Sequence, residues 1–160
     1  MSSLQQTKEQ QRAKAAWEAV SEIKEKSKET KEGYSTQAKN FPMMTMTNGL
    51  GQSLAFLRAK SKAEHNNAFY QHISAWVTRE IFNASNEKLL ERLLDSDSNV
   101  YRRATTEALA FAVWLKRFAE AELDEKKPSQ FAAQNVSGTN DMETEADENK
   151  TLSQGKKEQE

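Results

Sequence analysis

The side chains of this 160-residue chain are best suited by type and spacing to holding phosphate. From Gly33 to Ala63 there are four basic residues, Lys39, Arg58, Lys60 and Lys62, and no acid, whereas the whole chain balances 23 Lys and Arg against 24 Asp and Glu. A second concentration follows, with Arg102 and Arg103, then Lys116 and Arg117 about four helical turns later. Uncompensated cations attract a nucleic-acid backbone, and the attraction weakens with salt. In the first turn of a helix, where Arg102 and Arg103 are expected, a cation opposes the macrodipole and is favoured only beside an anion. Solvated charge is the competing reading, and composition leaves both open. No aromatic residues are interleaved in the manner of a base-reading module, so the contacts expected are with phosphate and sugar.

Other chemistries find less support. His65 and His72 lie seven residues apart, with no nucleophile pattern or HExxH spacing beside them, and are read as surface or core-edge residues. Most carboxylates alternate with lysines, as on solvated helix faces. Asp95 and Asp97, beside Ser96 and Ser98, read as a helix stop and N-cap rather than a metal site. Gly49-Leu50-Gly51 follows no strand and continues into no phosphate-loop pattern, so close helix packing explains it. Met43, Met44 and Met46 fit an adaptable binding surface or a core contact equally well. No catalytic residue, metal ligand or cofactor is expected. The absence of cysteine removes disulfides and thiol chemistry, and a reducing, cytoplasmic location is expected. The longest nearly apolar run, Ala108 to Leu115, falls far short of the roughly 20 residues that cross a bilayer, and the polar start MSSLQQTKEQQRAK has no signal-peptide core. No membrane association is expected.

The elements that must position these groups are helical. Between Arg12 and Lys127 there are three glycines and one proline, β-branched residues are sparse, and Ala, Leu, Lys, Glu and Arg abound. The expectation is an all-α fold, a compact bundle of about five to six helices over residues 1–127, followed by a disordered acidic tail over 128–160. That tail carries 3 basic and 7 acidic side chains, against 20 and 17 in the remainder; its net charge of −4 would oppose nonspecific nucleic-acid binding by the body. A first helix is expected from about Thr7 to Lys31, ended by Gly33, with Ala13, Ala16, Trp17, Val20 and Ile23 on its apolar face. Two helices with a kink between Pro42 and Gly51 follow. Next comes a helix over Asn67–Phe82 with Phe69, Ile73 and Trp76 inward, then a leucine-rich helix capped by Ser85. A final helix, from Val100 to about Lys126, is apolar nearly all round in its middle and so should be central, with Trp114 either in the core or a surface anchor for a neighbouring subunit.

Three phrases in this order go beyond composition: YSTQAKNFP at 34–42, NGLGQSLAFLRAKSK at 48–62 and YRRATTEALAFAVWLKRFAEAEL at 101–123. Together they resemble the small helical subunit of the type III-B CRISPR effector, the Cmr complex, over roughly residues 10–124. The resemblance implies a non-catalytic α-helical subunit, present in more than one copy and stacked into a short filament. Its implied neighbours are the backbone subunit that holds the guide RNA and cuts the target, the large polymerase-like subunit, and the target strand paired to the guide. Guide pairing would read sequence, leaving the protein to complement a phosphate backbone. On that basis the residues expected to contact RNA are Lys39, Arg58, Lys60, Lys62, Arg79, Arg102, Arg103, Lys116 and Arg117. Two further readings stand beside it. One is a helical adaptor or homo-oligomer without nucleic acid; the other is a small nuclease dependent on His65 or His72.

Overall fold

A computed structural model of the chain describes residues 5–85 and 88–125; the tail expected over 128–160 lies outside the described residues. Six helices occur in the order α1 (Lys8–Lys24), α2 (Lys28–Asn48), α3 (Leu50–Ala59), α4 (Glu64–Phe82), α5 (Leu89–Leu94) and α6 (Ser98–Glu122). Among the described residues there is no strand, and no helix is long and apolar enough to cross a membrane. The all-α expectation holds.

The first break falls earlier than the sequence indicated. Thr7 opens α1 with a reciprocal capping box, its hydroxyl accepting from the Gln10 backbone N–H while the Gln10 side chain accepts from the Thr7 N–H. The helix then stops at Lys24, and Ser27 caps α2 by accepting from the Thr30 N–H. Gly33, expected to end the first helix, instead lies inside α2 because the His65 ring fills its missing side-chain space: a Cβ there would come within 2.4 Å of that ring. An interior Gly→Ala change ordinarily stabilises a helix by about 1 kcal/mol. Here the sign should reverse, since the clashing atoms are ring atoms held against α2 rather than the end of a flexible chain. Gly33→Ala is expected to lower the melting temperature, and a rise would contradict this packing.

Pro42 does not divide α2 either. It lacks only the N–H that the Ala38 carbonyl would accept, and the helix continues to Asn48, where Gly49 turns the chain with φ 87°. Gly51 explains the second glycine of the pair. Its N–H donates to the Tyr101 hydroxyl at 2.8 Å, and a Cβ there would lie 3.1 Å from that oxygen. Two of the three distinctive phrases therefore meet where α3 starts and α6 begins.

Side-chain pairs fix the helix directions. Arg12 meets Glu107, Trp17 meets Phe118 and Lys24 meets Glu122, so α1 and α6 run parallel. Lys8 pairs with Glu80 and Lys26 with Glu64, so α4 is antiparallel to α1. Thr30 donates to Glu64 and Tyr34 packs on Phe69, which makes α2 parallel to α4, with α3 as the crossover between them. As expected, α6 is central, packing against α1, α2 and α4. Its inward residues Ala104, Ala108, Ala112 and Ala119 admit three close neighbours, while Phe111 and Leu115 fill the space between them. The aromatic face expected of α4 is also present: Phe69, Ile73 and Trp76 are buried, and Trp76 stacks on Phe111 at 5.1 Å.

Candidate nucleic-acid and subunit interface

The helix layout sorts the nine basic residues into groups with different partners. Three are engaged within the chain. Lys39 reaches across from α2 to Asp124 at 2.6 Å, and Arg58 on α3 is hydrogen-bonded to Glu91 on α5. Arg79 lies over the Trp76 ring at 4.6 Å, with its Nε 3.5 Å from Glu80. The other six, Lys60, Lys62, Arg102, Arg103, Lys116 and Arg117, pair with no carboxylate among the described residues.

These six do not form one track. Lys60 and Lys62 follow the end of α3, which packs mainly against α2, α4 and α5. The remaining four lie on α6, which packs against α1, α2 and α4. All of them except half-buried Lys116 are exposed. Arg102, Thr106, Val113 and Arg117 fall at spacings of four, seven and four, and so share one outward stripe spanning about 22 Å. Asp97 caps α6 by accepting from the Asn99 and Val100 N–H groups, both at 2.9 Å, as expected of that residue. The helix thereby starts at Ser98, two residues earlier than expected. Arg102 and Arg103 therefore sit in the second turn, where the macrodipole penalty has largely faded.

Between the two basic ends, α6 shows solvent an apolar strip. Val113 is 44% exposed, with Leu109 and Ala110 half-buried beside it. Met43 and Met46 on the neighbouring α2 are exposed, which decides the methionine question: both face solvent, and Met44 is packed against the core. On the α1 side, Trp17 was expected inward with Ala16, Val20 and Ile23, yet it is 47% exposed and packs edge-on against Phe118 at 5.3 Å. Trp114 is likewise outside the core proper. It is half-buried, stacked on Phe118, and its indole N–H is shared between the two Glu9 carboxylate oxygens at 3.2 and 3.3 Å. Sequence reading missed Trp17 as a surface residue because its spacing fits the apolar stripe. The only hint was that Ala16 and Val20 complete that stripe without it. Phe56 on α3 and Leu94 on α5 are also exposed.

The histidines serve packing. The His65 ring fills the space over Gly33, and His72 Nδ1 is 2.7 Å from the Tyr34 hydroxyl, with Nε2 3.4 Å from Glu22. Burial, together with the nearby Glu22 charge, pushes the Tyr34 phenol well above its ordinary pKa and keeps it a neutral partner. Ser85, the expected cap of the leucine-rich helix, is not its N-cap: that position is Lys88, without a side-chain hydrogen bond. A groove of about 780 Å³ opens between α1 and α4, but Glu18 and Glu22 on its α1 wall have the wrong sign for phosphate.

Fold and surface together define a small all-helical protein with uncompensated cations set around an apolar strip on its central helix. Residues 8–122 match the family model of the CRISPR-associated protein described as Cas_Cmr5. The chain is 32% identical, over 114 residues, to the CRISPR system Cmr subunit Cmr5 of Thermus thermophilus, an alignment covering 69% of this chain and 93% of that one. The crystal structure of a CRISPR-associated Cmr5 family protein from the same organism superposes with a TM-score of 0.62 at 29% identity, covering 74% of this chain and all of the other. The chain belongs to the Cmr5 family and is a Cmr complex subunit.

Proposed function

We propose that this chain is a non-catalytic structural subunit of a cytoplasmic type III-B CRISPR ribonucleoprotein, where it stacks in several copies and helps seat target RNA paired to the guide. The observation that carries this reading is that Arg102, Arg103, Lys116 and Arg117 on α6 have no carboxylate partner among the described residues, Arg102 and Arg117 sharing its outward stripe. Six other cations in the body, at Lys8, Arg12, Lys24, Lys26, Lys39 and Arg58, are each paired with a carboxylate from another helix or, for Lys39, from the chain just after α6. Cations without a carboxylate partner are available to an external anion, and backbone phosphate is held by such cations without base readout.

Stacking has its own support. Exposed apolar residues occur on several helices: Val113 on α6, Met43 and Met46 on α2, Phe56 on α3 and Leu94 on α5. Apolar residues spread over different helices would allow a head-to-tail contact between unlike surfaces, which propagates, as well as a self-complementary one, which closes a dimer. Contacts with the backbone subunit and the large polymerase-like subunit would use what the stack leaves open. The expected result is that Arg103→Ala, in the assembled complex, weakens target binding whatever the target sequence and reduces the salt slope by roughly one. An unchanged slope would remove Arg103 from the interface. Protein partners retained after RNase treatment, with no salt-dependent RNA affinity, would favour the adaptor reading instead.

A further inference from the structure

The cations on α6 account for phosphate, but not for the aromatic surface beside them. Trp17, Phe118 and Trp114 form one array although Trp17 and Trp114 are 97 positions apart in sequence. Phe118 is central, with Trp114 stacked on it at 5.5 Å and an interplanar angle of 30°, and Trp17 packed edge-on at 5.3 Å and 81°. Trp114 is further tied down by Glu9, so the array is held from both helices. Trp17 is nevertheless dispensable to the core. Ala16, Ala19, Val20 and Ile23 make the buried face of α1, while the Trp17 ring is 47% exposed. Its indole N–H meets no acceptor among the described residues. Two exposed cations lie nearby along the helices: Lys14, three residues before Trp17 on α1, and Arg117, immediately before Phe118 on the outward side of α6. Neither pairs with a carboxylate among the described residues.

A half-exposed indole held against Phe118, with a free donor on its edge and unpaired cations close by on the same two helices, has the parts of a single-strand binding platform, in which a base stacks while the adjoining phosphates are neutralised. We propose that Trp17 stacks an unpaired nucleobase of single-stranded RNA, with Lys14 and Arg117 holding the flanking phosphates. This rests on the reading of the α6 face as an RNA surface and adds to it a preference for unpaired nucleotides. A protein partner could also cover Trp17. The uncompensated charge of Lys14 and Arg117 favours a polyanion, and the other occupant is an outcome of the test.

The test compares the full chain with its Trp17→Leu and Trp17→Phe variants, using a short oligouridylate, an abasic oligonucleotide of the same length and an RNA duplex. Leucine keeps apolar contact but cannot stack, so Trp17→Leu should bind the oligouridylate roughly tenfold more weakly, with abasic and duplex affinities and the salt slope unchanged. Trp17→Phe should recover most of the loss, and melting temperatures should show both variants folded. Equal oligouridylate affinity for wild type and Trp17→Leu would overturn the stacking proposal; if an Arg102, Arg103, Lys116, Arg117→Ala variant then still lost binding, the phosphate reading would survive. Loss of protein partners by Trp17→Leu with RNA affinity intact would also overturn it, in favour of a subunit contact. A wild-type chain with no low-salt affinity for any of the three probes would overturn both readings.

Discussion

Glu107→Ala is expected to lower the stability of the folded chain by about 3 kcal/mol, because one carboxylate holds two helices to α6. Arg12 from α1 binds it in a fork, Nε to Oε1 at 2.7 Å and Nη2 to Oε2 at 2.9 Å, while Trp76 from α4 donates its indole N–H to Oε1 at 2.8 Å. The Arg12 and Glu107 side chains are only 19% and 12% exposed, so removing the carboxylate leaves a largely desolvated guanidinium and a nearly buried indole N–H without an acceptor. Glu107→Gln keeps an acceptor for Trp76 but removes the charge, and should fall between the two. The Arg12 hydrogen bond, opposed by burial and assisted by Trp76, holds the Glu107 carboxyl below its ordinary value of 4.5. A carboxyl that ionises at lower pH when folded stabilises the fold fully above that ordinary value. Its contribution is lost as pH falls through the lower folded-state value. Denaturant titrations should therefore show the gap between wild type and Glu107→Gln narrowing in acid. A gap independent of pH would mean that the charge on Glu107 contributes little.

The other large effect concerns RNA. Replacing Arg102, Arg103, Lys116 and Arg117 together by alanine should reduce the dependence of log affinity on log salt by about three, at roughly 0.7 ion per contact with a single strand. Between 50 and 200 mM salt, wild type should therefore lose roughly 60-fold more affinity than the variant, whatever the RNA sequence. The fold should survive, since none of the four pairs with a carboxylate among the described residues and three of them are exposed. Replacing Lys39, Arg58 and Arg79 instead should leave the slope nearly unchanged, because their charges are already engaged with Asp124, Glu91 and Glu80. Equal slopes for wild type and the four-residue variant would disconnect α6 from RNA.

What could be read from the residues in advance follows a physical division. Helix identity and the central place of α6 are local and compositional: an apolar middle with alanines every four residues has to be surrounded. Asp97 as a cap was equally local. The breaks were harder, because what determines them is faint or remote. The first break has one local mark, Ser27 as the cap of α2, but among so many Lys and Glu residues a single serine does not stand out from a continuing helix. Gly33 is a stop signal by propensity and an interior residue only because His65, 32 positions later, occupies its side-chain space. The cations show the same limit. Lys39 and Arg58 belong to an acid-free run, yet they are neutralised by Asp124 and Glu91, which the fold brings in from far along the chain. Uncompensated charge in sequence is thus a weaker signal than uncompensated charge in space.

The most direct test of the account is purification of the tagged full-length chain from its native host, with identification of the proteins and sequencing of the RNA that accompany it. The account predicts recovery of the other Cmr subunits together with repeat-tagged guide RNAs, in a salt-resistant assembly containing more than one copy of this chain. Recovery of protein partners with no guide RNA would contradict it, and the basic face of α6 would then be ordinary solvated charge.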